Sequence, residues 1–406
     1  MTISPANQAI VIGAGLTGMA AATELLKRGV AVTILEASDR VADPWRARHP
    51  KLRLNIHRHF ARLPGHHAPR AKDRFLPRDA VVDYLSEYAE GLKAHIVFGT
   101  SVTSVRQDRG FWHIDTNNGG YTCTDLVVAT GREKTPELPV WPGMEKFGGK
   151  VIHAADFGDP SDYDGKNIVV VGAGNSGSDV LNHLSRSRPG RVWVAVRHGP
   201  SILPSKIFGF SLQRMANLFA RFPKWSLDPM FGFMQWAFFG DLRRHGLRRH
   251  KLGGGSRMLK DGVTFALDDG FVAALKAGRF EAVPQVVGFG EYSVELANGR
   301  KLRPDVVICA TGYKPNLEPL FGSLGALDAK GYPLHPMGQE DVNNPGLWFT
   351  GYAPSFQGFF HAAGVSAGRI ASHVVMRAAK TSDTQRDQKI AGSNRFQNLL
   401  AKGAKQ

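Results

Sequence analysis

The sequence predicts an α/β fold of two Rossmann-like dinucleotide-binding domains, one inserted into the other, with three-layer ββα/αβα packing. Three observations carry this. The order apolar strand, Gly-x-Gly-x-x-Gly, helix, second strand occurs twice, at "AIVIGAGLTGMA" from Ala9 and at "IVVVGAGNSGSD" from Ile168. The residues that close the second strands differ in charge, Glu36 against Arg197. The chain has 406 residues and 43% hydrophobic content, enough for two separate cores.

In the first unit, Ala9–Ile12 reads as a buried parallel strand. Gly13 permits the tight turn, Gly15 lets backbone approach a pyrophosphate, and Gly18 lets helix and strand pack closely. The helix N-terminus then turns free N–H groups toward the anion. The helix is expected to run to about Arg28 and to end at Gly29, with Val30–Leu35 as the next strand. Glu36 ends that strand. A carboxylate there accepts hydrogen bonds from a ribose 2′-OH and repels a 2′-phosphate, so this unit is expected to bind FAD or NAD rather than NADP.

The second unit repeats the plan. Ile168–Val171 is the strand, Gly172, Gly174 and Gly177 form the turn with Asn175 and Ser176, and Arg191–Val196 is the second strand. Arg197 stands where Glu36 stands in the first unit. A guanidinium there pairs with a 2′-phosphate. Acid against base at equivalent places assigns FAD to the first turn and NADPH to the second.

The expected domain limits follow from the punctuation. Residues 1–164 and 306–380 form the FAD domain, 165–305 the inserted NADPH domain, and 381–406 a basic polar tail. Pro-rich "PELPVWPG" and "ATGYKPN" mark the crossings. Residues 208–256 read as a helical insertion that ends in the Arg-rich "DLRRHGLRRHKLGGG". That run is either a solvated helix with snorkelling arginines or a face for an anionic membrane or partner. The apolar stretch Leu218–Gly240 is interrupted by Arg221, Lys224, Asp228 and two prolines, so no transmembrane span is expected.

Composition limits the chemistry. Cys123 and Cys309 are isolated, which excludes a disulfide framework, a zinc set or a Cys-x-x-Cys redox pair and suits a reducing, cytoplasmic setting. No basic and apolar leader opens the sequence, so no signal peptide is expected. His57, His59, His66 and His67 crowd one segment that has no carboxylate or cysteine beside them, and no metal is expected there. The net charge of +16 suits polyanionic cofactors and leaves peripheral contact with an anionic membrane open, while no nucleic-acid partner is expected. The oligomeric state stays open.

Two dinucleotides imply electron transfer from one to the other, with the protein supplying orientation and exclusion of water. A disulfide reductase would need a dithiol, which this chain lacks. A reduced flavin could still pass electrons to a protein partner, release hydrogen peroxide, or put oxygen into a small molecule. A nucleotide sensor without turnover is a further alternative.

Several motifs bear on that choice. "FGGKVIHAADF" lies between the two turns and fits a Phe-x-Gly-x-x-x-His-x-x-x-Phe/Tyr signature through Phe147, Gly149, His153 and Phe157. "VVATGREKTPELPVWPG" and "VICATGYKPN" carry Ala-Thr-Gly strand ends, at Thr130 and Gly131 and at Thr311 and Gly312. "LPSKIFGFS", "TFALDDGFVAALKAGRFEAVP" and "GLWFTGYAPSFQGFFHAAGVSAGRIA", with Gly351, complete the ordered set. In these motifs the chain resembles the class B flavin-dependent monooxygenases, with YUCCA-type enzymes and their bacterial relatives the most similar in motif, over roughly Ala9 to Val375.

The resemblance implies that NADPH reduces FAD and that O2 adds at flavin C4a to give a hydroperoxide. That species then oxygenates a small organic substrate, by N-, S- or C-oxygenation or by oxidative decarboxylation of a 2-oxo acid. It implies that Thr130, Gly131, Thr311, Gly312 and Gly351 lie at the cofactors and that Trp45 lies near the flavin. Ala42 and Asp43 occupy the places of a customary Gly-Gly pair before Trp45, which would set the backbone farther from the flavin. Asn55 replaces a His of the YUCCA-type relatives. It is the candidate catalytic residue, by likeness to an Asn that holds the flavin peroxide in other flavin monooxygenases, and the competing reading is an ordinary loop Asn. Phe208, Phe210, Phe231, Phe233, Trp236, Phe238, Phe239, Phe356, Phe359 and Phe360 are either core and lid packing or an apolar wall around substrate.

Overall fold

Each glycine turn sits at the C-terminal edge of its own five-stranded parallel sheet. The structure, a computed structural model, describes residues 8–70, 75–207 and 210–379. Phe208, the Phe210 side chain and the tail 381–406 lie outside the described residues. In chain order the elements that matter here begin with β1 (Gln8–Ile12), α1 (Leu16–Leu26), β2 (Ala31–Leu35), β3 (His95–Val97), β4 (Asp125–Val128), β5 (Lys150–His153) and β6 (Ile168–Val171). They continue with α2 (Asn175–Leu184), β7 (Val192–Ala195), α3 (Lys224–Phe239), α4 (Gly254–Asp261), β8 (Phe280–Val283), β9 (Val306–Cys309) and β10 (Leu347–Phe349). The first sheet runs β10-β4-β1-β2-β3 and the second β5-β9-β6-β7-β8. Every pair in both is parallel.

The apolar runs are continuous because both faces of each sheet are covered. In β1, Ala9 and Val11 pack among the helices, while Ile10 and Ile12 pack with Trp112 and Ile114 of an antiparallel meander. In β6, Ile168 and Val170 face the helix side, while Val169 packs with Phe289 and Val294 of a second meander. Both units therefore take the ββα arrangement, with helices on one face of the parallel sheet and a three-stranded meander on the other.

Three expectations are corrected. The first concerns the boundary at 305/306. Val306–Cys309 lies in the middle of the second sheet, between β5 and β6, and β5 itself precedes residue 164. The inserted unit therefore begins before Lys150 and ends after Cys309, where Thr135–Pro136 and Tyr313–Lys314 pair antiparallel at the crossing. Second, α1 ends at Leu26 rather than near Arg28, because Gly29 at φ 77 already turns the chain. Third, the Arg-rich run is not a continuous helix. Leu242–His245 forms one 3-10 turn, and Gly246 at φ 85 ends it. The chain then folds back so that the Gly199 N–H donates to the Arg248 carbonyl at 2.6 Å.

Candidate cofactor and substrate site

The two glycine turns have the same internal geometry. Gly13 lies at φ +102 and Gly172 at φ +93; a Cβ at either would stand 2.8 or 2.7 Å from a carbonyl oxygen of the neighbouring strand end, Ala129 or Ala310. A Cβ on Gly18 would meet the Gly13 carbonyl oxygen at 2.0 Å, and one on Gly177 would meet that of Gly172 at 2.0 Å. Gly15 and Gly174 differ: a Cβ there would meet nothing within 4 Å. In each turn the outer glycines are fixed by the fold, and the middle one leaves open space over a helix N-terminus, where anions are favoured. Asn175 and Ser176 open α2 beside that space.

Around the first turn, Thr130 and Gly131 follow β4, which pairs with β1, and Gly351 follows β10, the next strand on the same side. The Thr130 hydroxyl is 2.9 Å from the buried Tyr352 hydroxyl. A Cβ on Gly351, at φ +89, would collide with Thr17 of α1 at 2.8 Å. One Glu36 carboxylate oxygen accepts the Ala14 N–H at 2.6 Å and the other the Ser38 N–H at 2.9 Å. Each oxygen keeps a lone pair, so the carboxylate can still accept from a ribose hydroxyl. Arg197 is exposed at the end of β7, and among the described residues no carboxylate pairs with it. The fold-back of Arg248 onto Gly199 brings Arg249 and His250 to that same strand end, with the His198 and His250 rings 5.2 Å apart.

The crossing between units explains the "FGGKVIHAADF" spacing. A Cβ on Gly149 would strike the Phe147 ring at 2.6 Å and the Asp305 carbonyl oxygen at 2.8 Å. Phe157 is buried and stacks on Tyr163 at 4.9 Å. His153 Nδ1 accepts the Ala155 N–H at 3.1 Å, so the neutral ring carries its proton on Nε2, 3.0 Å from the Gly312 carbonyl oxygen. That carbonyl also accepts the Glu137 N–H at 2.9 Å, and the Thr311 hydroxyl donates to the Glu137 carbonyl. Thr311 and Gly312 are thus tied into the crossing pair.

Burial holds the His153 pKa below its ordinary 6.5. The unfolded chain takes up a proton at this position as pH falls below about 6.5, while the folded chain resists, so the stability it contributes is complete above that pH and is lost below it. His153→Gln is expected to lower the melting temperature at pH 7.5, since losing a buried hydrogen bond costs about 1–3 kcal/mol. It should also flatten the fall in melting temperature between pH 7.5 and 5.5. A variant slope equal to the wild-type slope contradicts this.

A recess of about 780 Å³, measured out to its open mouth, lies where both units and the insertion meet. Asn55 lines it, half-buried on the strand Arg53–His57, whose Leu54 and Ile56 enter the first core. Phe231, Phe265, Phe356 and Phe359 form an aromatic wall, with Phe231 and Phe265 centroids 4.4 Å apart. No charged side chain lines the recess among the described residues. Arg132 stands over the Phe359 ring at 5.7 Å and donates to the Gly262 carbonyl at 3.1 Å. The expected aromatic set therefore divides. Phe231, Phe356 and Phe359 line the recess, Phe239 and Phe360 fill separate cores, and Phe233, Trp236 and Phe238 are exposed.

The sequence missed Gln213, whose Oε1 accepts the His57 N–H and which also lines the recess; no local pattern marks a partner 156 residues away. It also missed His49. His49 Nε2 is 3.0 Å from Asp179 Oδ2, and His183 Nε2 is 3.7 Å from Oδ1, which joins the first unit to the helix of the second turn. The segment with His66 and His67 does gain a carboxylate, because Glu87 comes to 3.0 Å from His67 Nε2. Trp45 is half-buried against the first core, in a short helix led by Ala42 at φ 63, a left-handed conformation that a glycine would hold without strain. Cys123 and Cys309 are buried in different units, and burial pushes both thiols up to about 12.

Comparison with known proteins adds to the geometry. The model of the pyridine nucleotide-disulphide oxidoreductase family matches residues 10–206. Probable indole-3-pyruvate monooxygenase YUCCA3 of Arabidopsis thaliana is 31% identical over 397 residues, covering 94% of this chain and 89% of that protein. Indole-3-pyruvate monooxygenase YUCCA1 of Oryza sativa subsp. japonica is 32% identical over 352 residues, covering 85% and 86%. Among solved structures, the flavin-containing monooxygenase from Stenotrophomonas maltophilia shares the fold with a TM-score of 0.68 at 20% identity, over 91% of this chain and 98% of its own. The disulphide chemistry in the family's description requires a dithiol that two buried, separated cysteines do not form.

Proposed function

Because this chain belongs to the flavin-dependent monooxygenase family that includes the YUCCA enzymes, we propose that its two turns divide the work of a FAD- and NADPH-dependent monooxygenase. Gly13, Gly15 and Gly18 hold the FAD pyrophosphate, Glu36 takes its ribose, and Trp45, Thr130, Gly131 and Gly351 stand around the cofactor. Gly172, Gly174, Asn175, Ser176 and Gly177 hold the NADPH pyrophosphate, Arg197 takes the 2′-phosphate, and Thr311 and Gly312 set the crossing beside it. One observation carries the assignment: two turns of equal geometry, each with open space over its middle glycine, end in opposite charges.

Arg197→Ala is expected to raise the Michaelis constant for NADPH by about 10- to 100-fold and that for NADH little, the range for losing one charge-assisted bond. Equal rises for both would remove the 2′-phosphate assignment.

Bound FAD would supply the oxygen-activating chemistry, and the chain's part is to hold substrate and keep water out. The recess suits that part, with Asn55, Gln213 and the hydroxyls of Ser205, Thr264 and Ser355 among aromatic rings. We infer a substrate with a planar apolar body, of which an aryl 2-oxo acid like that named for the plant relatives is one. Its carboxylate would lie toward Arg132, since the lining itself is uncharged. Rapid mixing of reduced enzyme and NADP⁺ with O2 should show a transient near-UV band before the oxidised flavin spectrum returns. NADPH consumption with indole-3-pyruvate, amines and sulfides should leave little peroxide for the true substrate class. Stoichiometric peroxide with all of them would make the protein a flavin oxidase.

A further inference from the structure

The outer face of the helical insertion is apolar and uncovered. Trp225, Phe233 and Trp236 of α3 are 80%, 66% and 55% exposed, and Leu218 and Phe222 continue the patch onto the preceding segment. Trp225, Pro229, Phe233 and Trp236 recur every three or four residues along α3, which places them on one stripe. The opposite stripe, with Leu227, Phe231 and Phe239, is buried. Contiguous exposed apolar surface of this kind marks an interaction site.

Charge around the stripe has one sign. Arg214, Arg221 and Lys224 are exposed, and no carboxylate forms an ion pair with them among the described residues. The acids of this segment are occupied elsewhere: Asp228 accepts the Ser256 N–H at 2.8 Å, and Asp241 pairs with Arg243 at 2.7 Å. No helix among the described residues is long and apolar enough to cross a membrane.

We propose that this face rests on an anionic lipid surface, with the aromatic stripe at the headgroup level and the cations on lipid phosphates. Tryptophan beside Arg and Lys on a helix lying in the interface is the composition such a surface selects. A second copy of the chain is disfavoured, because a two-fold contact through this stripe would bring the same unpaired cations together. The docking does not depend on the monooxygenase reading. Where that reading holds, α3 gives Phe231 to the recess and its other stripe to lipid, so an apolar substrate could reach the recess from the lipid phase.

The test uses full-length holoprotein and vesicles of phosphatidylcholine, alone or with about one third phosphatidylglycerol. Co-sedimentation is expected with the anionic vesicles only and should weaken as salt rises. Trp225→Ser/Phe233→Ser/Trp236→Ser should reduce the bound fraction by about tenfold while flavin content and melting temperature hold, since these side chains are exposed. Arg221→Glu/Lys224→Glu should reduce anionic binding as well. Absence of vesicle binding at low salt overturns the proposal. So does equal binding to neutral vesicles. A concentration-dependent dimer that the serine variant dissolves, without lipid binding, would assign the face to a second copy.

Discussion

Gly15→Val is expected to yield folded protein that carries no flavin. The valine side chain meets no protein atom, because a Cβ on Gly15 has nothing within 4 Å and the residue is exposed at the mouth of the turn. The added methyl groups enter the space over the α1 N-terminus that a pyrophosphate needs. Gly18→Val separates this effect from general damage. Its Cβ would lie 2.0 Å from the Gly13 carbonyl oxygen, a backbone atom, so that variant should lose folded protein. Visible absorbance per mole of protein, read beside the melting temperature, distinguishes the two. A yellow Gly15→Val protein would contradict placing FAD on the first turn.

Gly174→Val is expected to give the complementary phenotype, a yellow protein that NADPH no longer reduces at a useful rate. Gly174 has the same open surroundings at the start of α2, so the fold and the first turn are untouched. A loss of about 2.7 kcal/mol of binding corresponds to roughly 100-fold in affinity, and the anaerobic reduction rate at subsaturating NADPH should fall by at least that. Reduction by dithionite, which needs no binding site, should be unchanged. A colourless Gly174→Val beside a yellow Gly15→Val would reverse the order of the cofactors.

Much of this site can be read locally. The strands Ala9–Ile12 and Ile168–Val171, the turns that follow them, and Glu36 and Arg197 all lie within about thirty residues of one another in each unit, and a βαβ unit is specified over that length. The "VVIC" run at Val306–Cys309 was legible as a strand but not as a member of the second sheet, because an apolar run buried on both faces fits the middle of either. The ring of His153 was visible as part of a spacing, while its bond to Gly312, 159 residues away, was not. Asn55 could be singled out, but Gln213 beside it could not, and the aromatic residues around residue 230 gave no sign of which would face the recess.

By itself the sequence determined that two dinucleotide turns exist, which glycine in each is free for the anion, and that opposite charges end their second strands. These follow from backbone dihedrals and hydrogen bonds between near neighbours, which residue type controls directly. Only the tertiary structure decided where the inserted unit begins, which rings wall the recess, and that the basic run folds back to Arg197 instead of extending as a helix. Those outcomes depend on contacts between segments distant in the chain, from Gly199 with Arg248 to His49 with Asp179 and His57 with Gln213. Such partners are selected by the packing of the whole core, and no local period in the sequence encodes them.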